Sequence, residues 1–496
     1  MAKETDGNYG HILKYTGVFG GVQGLNILMG LVRNKLVALL LGPEGMGLAS
    51  LFNTTTNFIS QSTNLGLSFS AVTRISAVFE THDEAQMAQA VKTVRAWSLL
   101  TALVGMLVCV LAGPLLSEYT FSWGNHTLHF ILLAPAVGLM AITGGETAIL
   151  KGARRLRSLA VIQVYAVIVS LLVSVPVYYL FGQSGIVPVI VLLALVMMLL
   201  TIRHSYRLYP LRLRDSKGVL GDGLNMVRLG VAFVVAGAMG SGAEMFVRSY
   251  LNVHGDLEAV GLYNAGFILI VTYASMVFSA METDYFPRLS SLGDDVARLN
   301  QMVNRQIEVS LLIVSPMLAA LIIGLPVLIP LLYSHDFLPV IAMAQVGVFS
   351  MYLKALSLPV GYITLAKGDS VAYMVLEGCY DVLFVALLVV GYQWWGLYGA
   401  GVALSISYLS DLALVGGWAA WRYHYRVSGP VMYYAAIQLS LGIAVYLVSL
   451  LDHPWLYWSL GILLCLVSLL ISLYILHQKT SLWTALIDKF KAHARS

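Results

Sequence analysis

Four basic residues stand inside apolar stretches long enough to cross a bilayer: Arg33, Lys35, Arg248 and Lys354. Charge at that depth is costly, so it faces a wet cavity, pairs with an opposite charge or reaches out to an interface. Arg33 and Lys35, in GLVRNKLVALLLGPEG, are separated from Gly42 by eight and six residues, which places them in the outer half of a first span. Arg248, in EMFVRSYLNV, holds the matching place in a seventh span. Such a pair of cations suits the attraction of an anionic group into a cavity. The plainer alternative is that they snorkel outward, or that Arg248 balances Glu244 one helical turn away. Lys354, in FSMYLKALSLPVGY, is too deep to snorkel cheaply and calls for a wet site or a carboxylate. Glu377 and Asp381, one turn apart, share a helix face. They are candidates to neutralise Lys354 or to hold a coupling proton or sodium ion. A second span reads LFNTTTNFISQSTNLGLS, whose Asn53, Thr56, Asn57, Gln61 and Asn64 either glue helices together or line a hydrophilic cavity matched to sugar hydroxyls. The candidate substrate-binding set is therefore Arg33, Lys35, Arg248, Lys354, Asn53, Asn57 and Gln61. Asp411, Glu282 and Glu146 sit nearer the ends of their spans, where solvation is expected.

The elements that must position these residues follow from composition. Of 496 residues, 58% are hydrophobic and 11% charged, with mean hydropathy +0.80. Soluble domains carry about 25% charged residues, so the solvent of this chain is largely lipid. Spanning structures in lipid are helices or closed barrels. The apolar runs here reach about 20 residues or more, the length of a transmembrane helix rather than of alternating barrel strands. About fourteen spans are expected, beginning near 12–41 and 47–75 and ending near 430–451 and 455–477. The tightest connections fall at Gly42–Met46, Gly182–Gln183, Ser334–Asp336, Gln393–Trp394 and Asp452–Pro454. Segments Phe79–Val91 and Leu292–Arg305 read as amphipathic helices lying at the interface.

Charge distribution orients the chain. Of 29 Lys and Arg, 24 fall in the termini or in alternate loops, all on one side. The positive-inside rule assigns that side, with both termini, to the cytoplasm. An internal repeat emerges as well. Lys14 and Arg228, Gly47 and Gly261, and Arg74 and Arg288 are each 214 apart; Arg33 and Arg248 are 215 apart; Lys151 and Lys367, and Gly185 and Gly401, are 216 apart. Spans 1–6 and 7–12 thus look like two halves of one plan, related by an axis along the membrane normal. The expected domains are a six-helix lobe over 1–215, a second over 216–428, and spans 13–14 with a basic tail over 429–496. A central cavity between two lobes follows from that plan.

Several chemistries find no signal. There is no GxxxxGK[ST] loop, so ATP hydrolysis is not expected. No external loop is large enough to hold a catalytic constellation, and no enzyme activity is expected. Cys109, Cys379 and Cys465 have no CxxC spacing or neighbouring ligand histidines, so neither a disulfide framework nor a metal site is indicated. They read as small buried hydrophobes. No cofactor is expected, and nucleic acid is not a partner.

The stretches LLLGPEGMGLASLFN and EAVGLYNAGFILIVTYASMVFSAMETDYFPRLSSL, with the KGARR and AKGDS loops, resemble the bacterial polysaccharide flippases of the multidrug/oligosaccharidyl-lipid/polysaccharide (MOP) exporter superfamily, in their O-antigen translocase and lipid III flippase branch. The resemblance covers roughly residues 10–425. It implies an all-α transporter with two pseudosymmetric lobes, working by alternating access in the bacterial inner membrane within O-antigen or other lipopolysaccharide biosynthesis. The substrate it implies is an undecaprenyl-pyrophosphate-linked oligosaccharide, with glycan polymerase machinery as a possible neighbour. Cations in the cavity, here Arg33, Arg248 and Lys354, are then expected to bind the pyrophosphate and sugar. Spans 13–14 depart from the shorter relatives. A multidrug or cation antiporter of the same superfamily is the alternative, although such an exporter is expected to place acids rather than unpaired bases in its cavity.

Overall fold

The computed structural model describes residues 2–121, 124–210, 219–293 and 295–479. Its helices are α1 (Ala2–Thr63), α2 (Leu67–Thr81), α3 (Glu84–Thr120), α4 (Thr127–Gly152), α5 (Leu156–Phe181), α6 (Ile186–Leu208), α7 (Val219–His254), α8 (Leu257–Ser290), α9 (Val296–Leu332), α10 (Val340–Gly347), α11 (Phe349–Ala366), α12 (Ser370–Tyr423), α13 (Gly429–Ser449) and α14 (Pro454–Lys479). No strand occurs among the described residues. The all-helical fold expected from the apolar runs is the fold observed.

Among the described residues, nine helical stretches are long and apolar enough to cross a membrane. Two of them, Arg157–Leu208 and Ser370–Tyr423, run 52 and 54 residues. At 1.5 Å per residue each would reach close to 80 Å, more than twice the hydrocarbon thickness. Each is broken at a glycine with positive φ, 54° at Gly182 and 57° at Gly396, and α1 is broken likewise at Gly42 (φ 64°). Only glycine enters that backbone region without cost. Gly42 and Gly182 fall in tight connections expected from sequence, whereas the break at Gly396 comes two residues after the expected Gln393–Trp394 turn. The two halves of α12 then touch backbone to backbone, since a Cβ on Gly399 would lie 1.8 Å from the Gly391 carbonyl oxygen.

The structure corrects some boundaries. The span expected over 47–75 is interrupted where Leu65 and Gly66 adopt φ of 51° and 72°, ending α1 and starting α2. The segment read as a separate amphipathic helix over Phe79–Val91 comprises the end of α2, a two-residue turn and the start of α3. His82 closes α2, and the Asp83 carboxylate caps α3 by accepting from the amides of Ala85 and Gln86 at 2.8 and 3.0 Å. Leu292 and Gly293 lie in a turn, and α9 begins at Val296.

The chain forms two compact units, Met1–Leu262 with Leu331–Asp336, and Tyr263–Pro330 with Phe337–Ser496. In the first, an apolar core of Leu67, Ala71, Ile75, Val91, Val94 and Ile149 joins α2, α3 and α4. Beside it Arg95 holds Glu146 at 2.8 Å, with side-chain exposures of 8% and 3%. The same guanidinium contacts Ser205 at 3.3 Å and lies 3.8 Å over the Tyr206 ring. Glu146, expected in solvent, is thus a buried structural carboxylate. The Glu282 side chain lies outside the described residues. In the second unit, Gln438 of α13 bonds to Ser468 and Ser472 of α14 at 2.7 and 2.9 Å, a polar tie between two otherwise apolar helices.

Outward faces carry exposed apolar side chains such as Leu111 (71%), Leu172, Leu180 and Leu470. That surface is stable only against lipid. Trp394, Trp395 and Trp455 sit exposed at helix turns and ends, as interfacial aromatics do. The protein is a multi-pass membrane protein. Of the cysteines, Cys109 is buried and donates to the Phe130 carbonyl, whereas Cys379 is exposed, contrary to its reading as a buried hydrophobe.

The glycine pair at offset 214 has a structural cause. A Cβ on Gly47 would lie 2.0 Å from the Leu257 carbonyl oxygen, and one on Gly261 would lie 1.9 Å from that of Pro43. Pro43 and Leu257 are themselves 214 apart. The two segments therefore cross at van der Waals distance through equivalent atoms.

Candidate functional site

In the first unit, α1, α4, α5 and α6 enclose a cavity of about 470 Å³ whose lining includes Arg33, Asn53, Thr56, Asn57, Thr143 and Lys151. The break at Gly42 explains how Arg33 and Asn53 come together. Arg33 precedes it by nine residues and Asn53 follows it by eleven, so two helices running in opposite directions bring them to similar depth. The Arg33 Nε donates to Ser174 Oγ at 3.4 Å, and Tyr178 is close enough to interact with the guanidinium electrostatically. Among the described residues this is the hydrogen bond that Arg33 makes, and it leaves most of the guanidinium's five donors for a ligand.

The walls are built for an acceptor-rich ligand that also carries hydroxyls. Asn53 and Asn57 are one turn apart on α1 and both exposed. Asn53 Nδ2 donates to the Ala49 carbonyl at 2.8 Å, and Thr56 Oγ1 to Phe52 at 2.6 Å. Thr143 Oγ1 on α4 donates to Leu139 at 2.7 Å. Each hydroxyl proton is satisfied within its own helix, so the oxygens keep lone pairs for incoming sugar hydroxyls. Gln61, the third amide of the stripe, does not line this cavity; it is also exposed and lies toward Gly237 of α7.

The other outer-half cations sit differently. Lys35 Nζ donates to the Tyr333 carbonyl, at the end of α9 within the same unit. Arg248 is 4% exposed. Its Nε donates to Ser50 Oγ at 2.9 Å, and its Nη1 reaches the Glu244 carbonyl and carboxylate at 3.2 and 3.3 Å. It ties α7 to α1, and the pairing with Glu244 anticipated from spacing is present.

The second unit holds its own charge cluster. Lys354 on α11 hydrogen-bonds with Tyr408 of α12, and its ammonium lies 5.7 Å from the Phe278 ring centroid and 5.6 Å from that of Tyr408. Glu377 and Asp411, both on α12, are the carboxylates within electrostatic reach. Asp411 is further held by Ser357 and Glu377 by Tyr373. No carboxylate comes within 4 Å of Lys354 among the described residues, so the carboxylates act on it at longer range. One of the two is Asp411, which sequence position had assigned to solvent. Asp381 is buried one turn beyond Glu377 and is not among the groups acting on Lys354.

This triad predicts a measurable coupling. Lys354→Ala removes the cation and leaves two carboxylates in apolar surroundings, at a cost of about 3 kcal/mol or less. Adding Asp411→Asn removes the repulsion between Glu377 and Asp411, so the double variant is expected to melt higher than Lys354→Ala alone. A double variant that melts lower would mean the two groups act independently.

The family described as polysaccharide biosynthesis protein matches residues 36–342. The chain belongs to this family. Two relatives, the lipid III flippases of Escherichia coli (strain K12) and Shigella flexneri, are each 24% identical over 410 residues, covering 79% of this chain and 94% of theirs. Among solved structures, an inward-facing multidrug resistance MATE transporter of the MOP superfamily superposes with a TM-score of 0.63 at 15% identity, covering 80% of this chain and 94% of its own. The lipid II flippase MurJ, in an inward closed conformation, gives 0.62 at 14% identity, covering 93% and 99%. The fold is therefore the MOP-superfamily fold expected from the sequence.

Within this polysaccharide biosynthesis protein, the family match begins after Lys35 and ends before Lys354. It includes Asn53, Asn57, Gln61 and Arg248 but neither Arg33 nor Lys354, so those two cations rest on geometry. Sequence reasoning missed four cavity residues: Thr143, Thr147, Lys151 and Tyr178. The first three recur every fourth residue in AITGGETAILKG, a polar stripe legible at helical spacing. Tyr178 left no such signal, because one tyrosine in an apolar span is unremarkable until its neighbours are known.

Proposed function

We propose that the protein is a flippase that carries an undecaprenyl-pyrophosphate-linked oligosaccharide from the cytoplasmic to the periplasmic leaflet of the bacterial inner membrane by alternating access. The observation that carries this reading is Arg33 in a cavity walled by amides and hydroxyls, in a polysaccharide biosynthesis protein similar to lipid III flippases along most of its length. A guanidinium forms charge-assisted, often bidentate bonds to diphosphate oxygens, and Asn53, Asn57 and the threonine oxygens suit the sugars. The polyprenyl tail remains in lipid throughout. Arg33, Asn53 and Asn57 are the primary contacts; Gln61 and Lys354 meet the headgroup at other stages, and Lys35 and Arg248 hold the outer ends of α1 and α7.

The functional division we propose is the pseudosymmetric one, lobes over 1–215 and 216–428 with 429–496 appended, both termini in the cytoplasm and glycan polymerase machinery as a neighbour. Glu377, with Asp381 beside it, remains the place for a coupling ion, and Asp411 joins it there. That acidic set supports a second reading, a multidrug or cation antiporter of the same superfamily.

The deciding experiment uses proteoliposomes and follows leaflet exchange of a fluorescent undecaprenyl-pyrophosphate sugar beside efflux of a cationic dye. Lipid exchange without dye efflux is expected. Dye efflux without lipid exchange would reject the flippase and favour the antiporter.

A further inference from the structure

A second polar cavity opens in the second unit where α9, the 424–428 linker and the end of α14 meet, and it has no part in the proposed translocation. It encloses about 830 Å³, well within the roughly 300–1,000 Å³ of small-molecule sites. Its charged lining comprises Arg305 and Glu308 of α9, Arg426 of the linker and Lys479 of α14.

The rim is held in place by two asparagines one turn apart on α9. Asn300 Oδ1 accepts from the Arg426 amide at 2.6 Å, while Asn304 Nδ2 donates to the Arg426 carbonyl at 2.9 Å. Asn304 Oδ1 accepts from the Ser428 amide at 2.9 Å and from the Tyr425 hydroxyl at 3.2 Å. Both peptide groups flanking Arg426 are thereby fixed, and Asn304 and Tyr425 are buried. An exposed loop basic residue normally lacks such support.

The charge is unbalanced. Glu308, the single carboxylate of the lining among the described residues, is engaged by Lys479. Neither the Arg305 nor the Arg426 guanidinium has a carboxylate within 4 Å among the described residues. Both are exposed, on the side that the basic-residue bias assigns to the cytoplasm. Exposed Val309, Val427 and Pro430 complete the mouth with apolar surface. Two unpaired guanidiniums on a fixed frame, with apolar groups beside them at the end of membrane helices, match a phosphodiester joined to acyl chains. Basic pockets between helices on the cytoplasmic side take anionic lipid headgroups, and the guanidinium fork fits phosphate oxygens.

We propose that this cavity binds the phosphate headgroup of an anionic phospholipid, with Arg305 and Arg426 on the phosphate. The bound lipid bridges α9 to the linker that leads into α13, and so fastens the α13–α14 pair to the rest of its unit.

The test measures melting of the full-length protein in detergent, with native mass spectrometry of retained lipid as a second readout. Phosphatidylglycerol is expected to raise the melting temperature, and phosphatidylethanolamine is not. In an Arg305→Gln/Arg426→Gln variant the shift should fall to less than half, with one fewer phosphatidylglycerol retained. Should that variant fold poorly, Arg305→Gln alone, which leaves the linker untouched, is expected to halve the shift. Equal shifts in parent and variants would overturn the site. So would a full shift from phosphatidylethanolamine, or from inorganic phosphate alone, the latter assigning the cavity to a soluble anion.

Discussion

An Arg33→Ala variant is expected to insert and fold normally yet to exchange lipid-linked oligosaccharide at least about 100-fold more slowly than the parent protein. The magnitude comes from the bonds lost. A hydrogen bond to a charged group contributes about 1.5–3 kcal/mol, and a bidentate diphosphate contact loses two, where each 1.4 kcal/mol is a factor of ten. Folding should be spared because, among the described residues, Arg33 gives up one 3.4 Å bond to Ser174 and its electrostatic contact with Tyr178, and removing a cation from the bilayer interior relieves a cost. Arg33→Lys keeps the charge without the fork and should retain part of the rate. Leaflet exchange in proteoliposomes, beside a melting curve, checks both halves. Unimpaired exchange by a properly folded Arg33→Ala protein would end the cationic-cavity mechanism.

The second large effect is expected at the glycine crossing. Gly47→Ala would place a Cβ 2.0 Å from the Leu257 carbonyl oxygen, and Gly261→Ala one 1.9 Å from that of Pro43. Neither obstacle is a flexible side chain, so the two backbones must separate by about 1 Å or more, at a cost of about 1–3 kcal/mol for each variant. The same separation relieves both clashes, so the double variant should lose less stability than the sum of the singles. Melting of the purified proteins measures this. Two fully tolerated single substitutions would show that the crossing is not packed as described.

How much of this was legible beforehand differs from residue to residue. The glycine turns at Gly42 and Gly182 were readable because a hairpin between two long apolar runs requires a residue that accepts positive φ, whereas the break at Gly396 was expected two residues early, at Gln393–Trp394. The Arg248–Glu244 pair was readable because i,i+4 neighbours on a helix meet whatever surrounds them. Asp411 was misjudged for the opposite reason. Its distance from the end of an apolar run indicated solvent, yet its environment is set by Lys354 and Ser357, more than fifty residues earlier in the chain. Glu146 shows the same effect with Arg95.

The sequence by itself determined what local chemistry and solvent dictate: a lipid-embedded, all-helical chain, the glycine turns at Gly42 and Gly182 and the shortlist of cations worth attention. Only the tertiary structure decided which cation faces a cavity. Arg33 and Arg248 occupy equivalent places in the repeat, yet Arg33 opens onto amides and hydroxyls while Arg248 is consumed by Ser50 and Glu244. Periodicity gives the depth of a side chain and the helix face it occupies. Whether that face meets another helix or open space depends on contacts between residues distant in sequence, and on those a single sequence is silent.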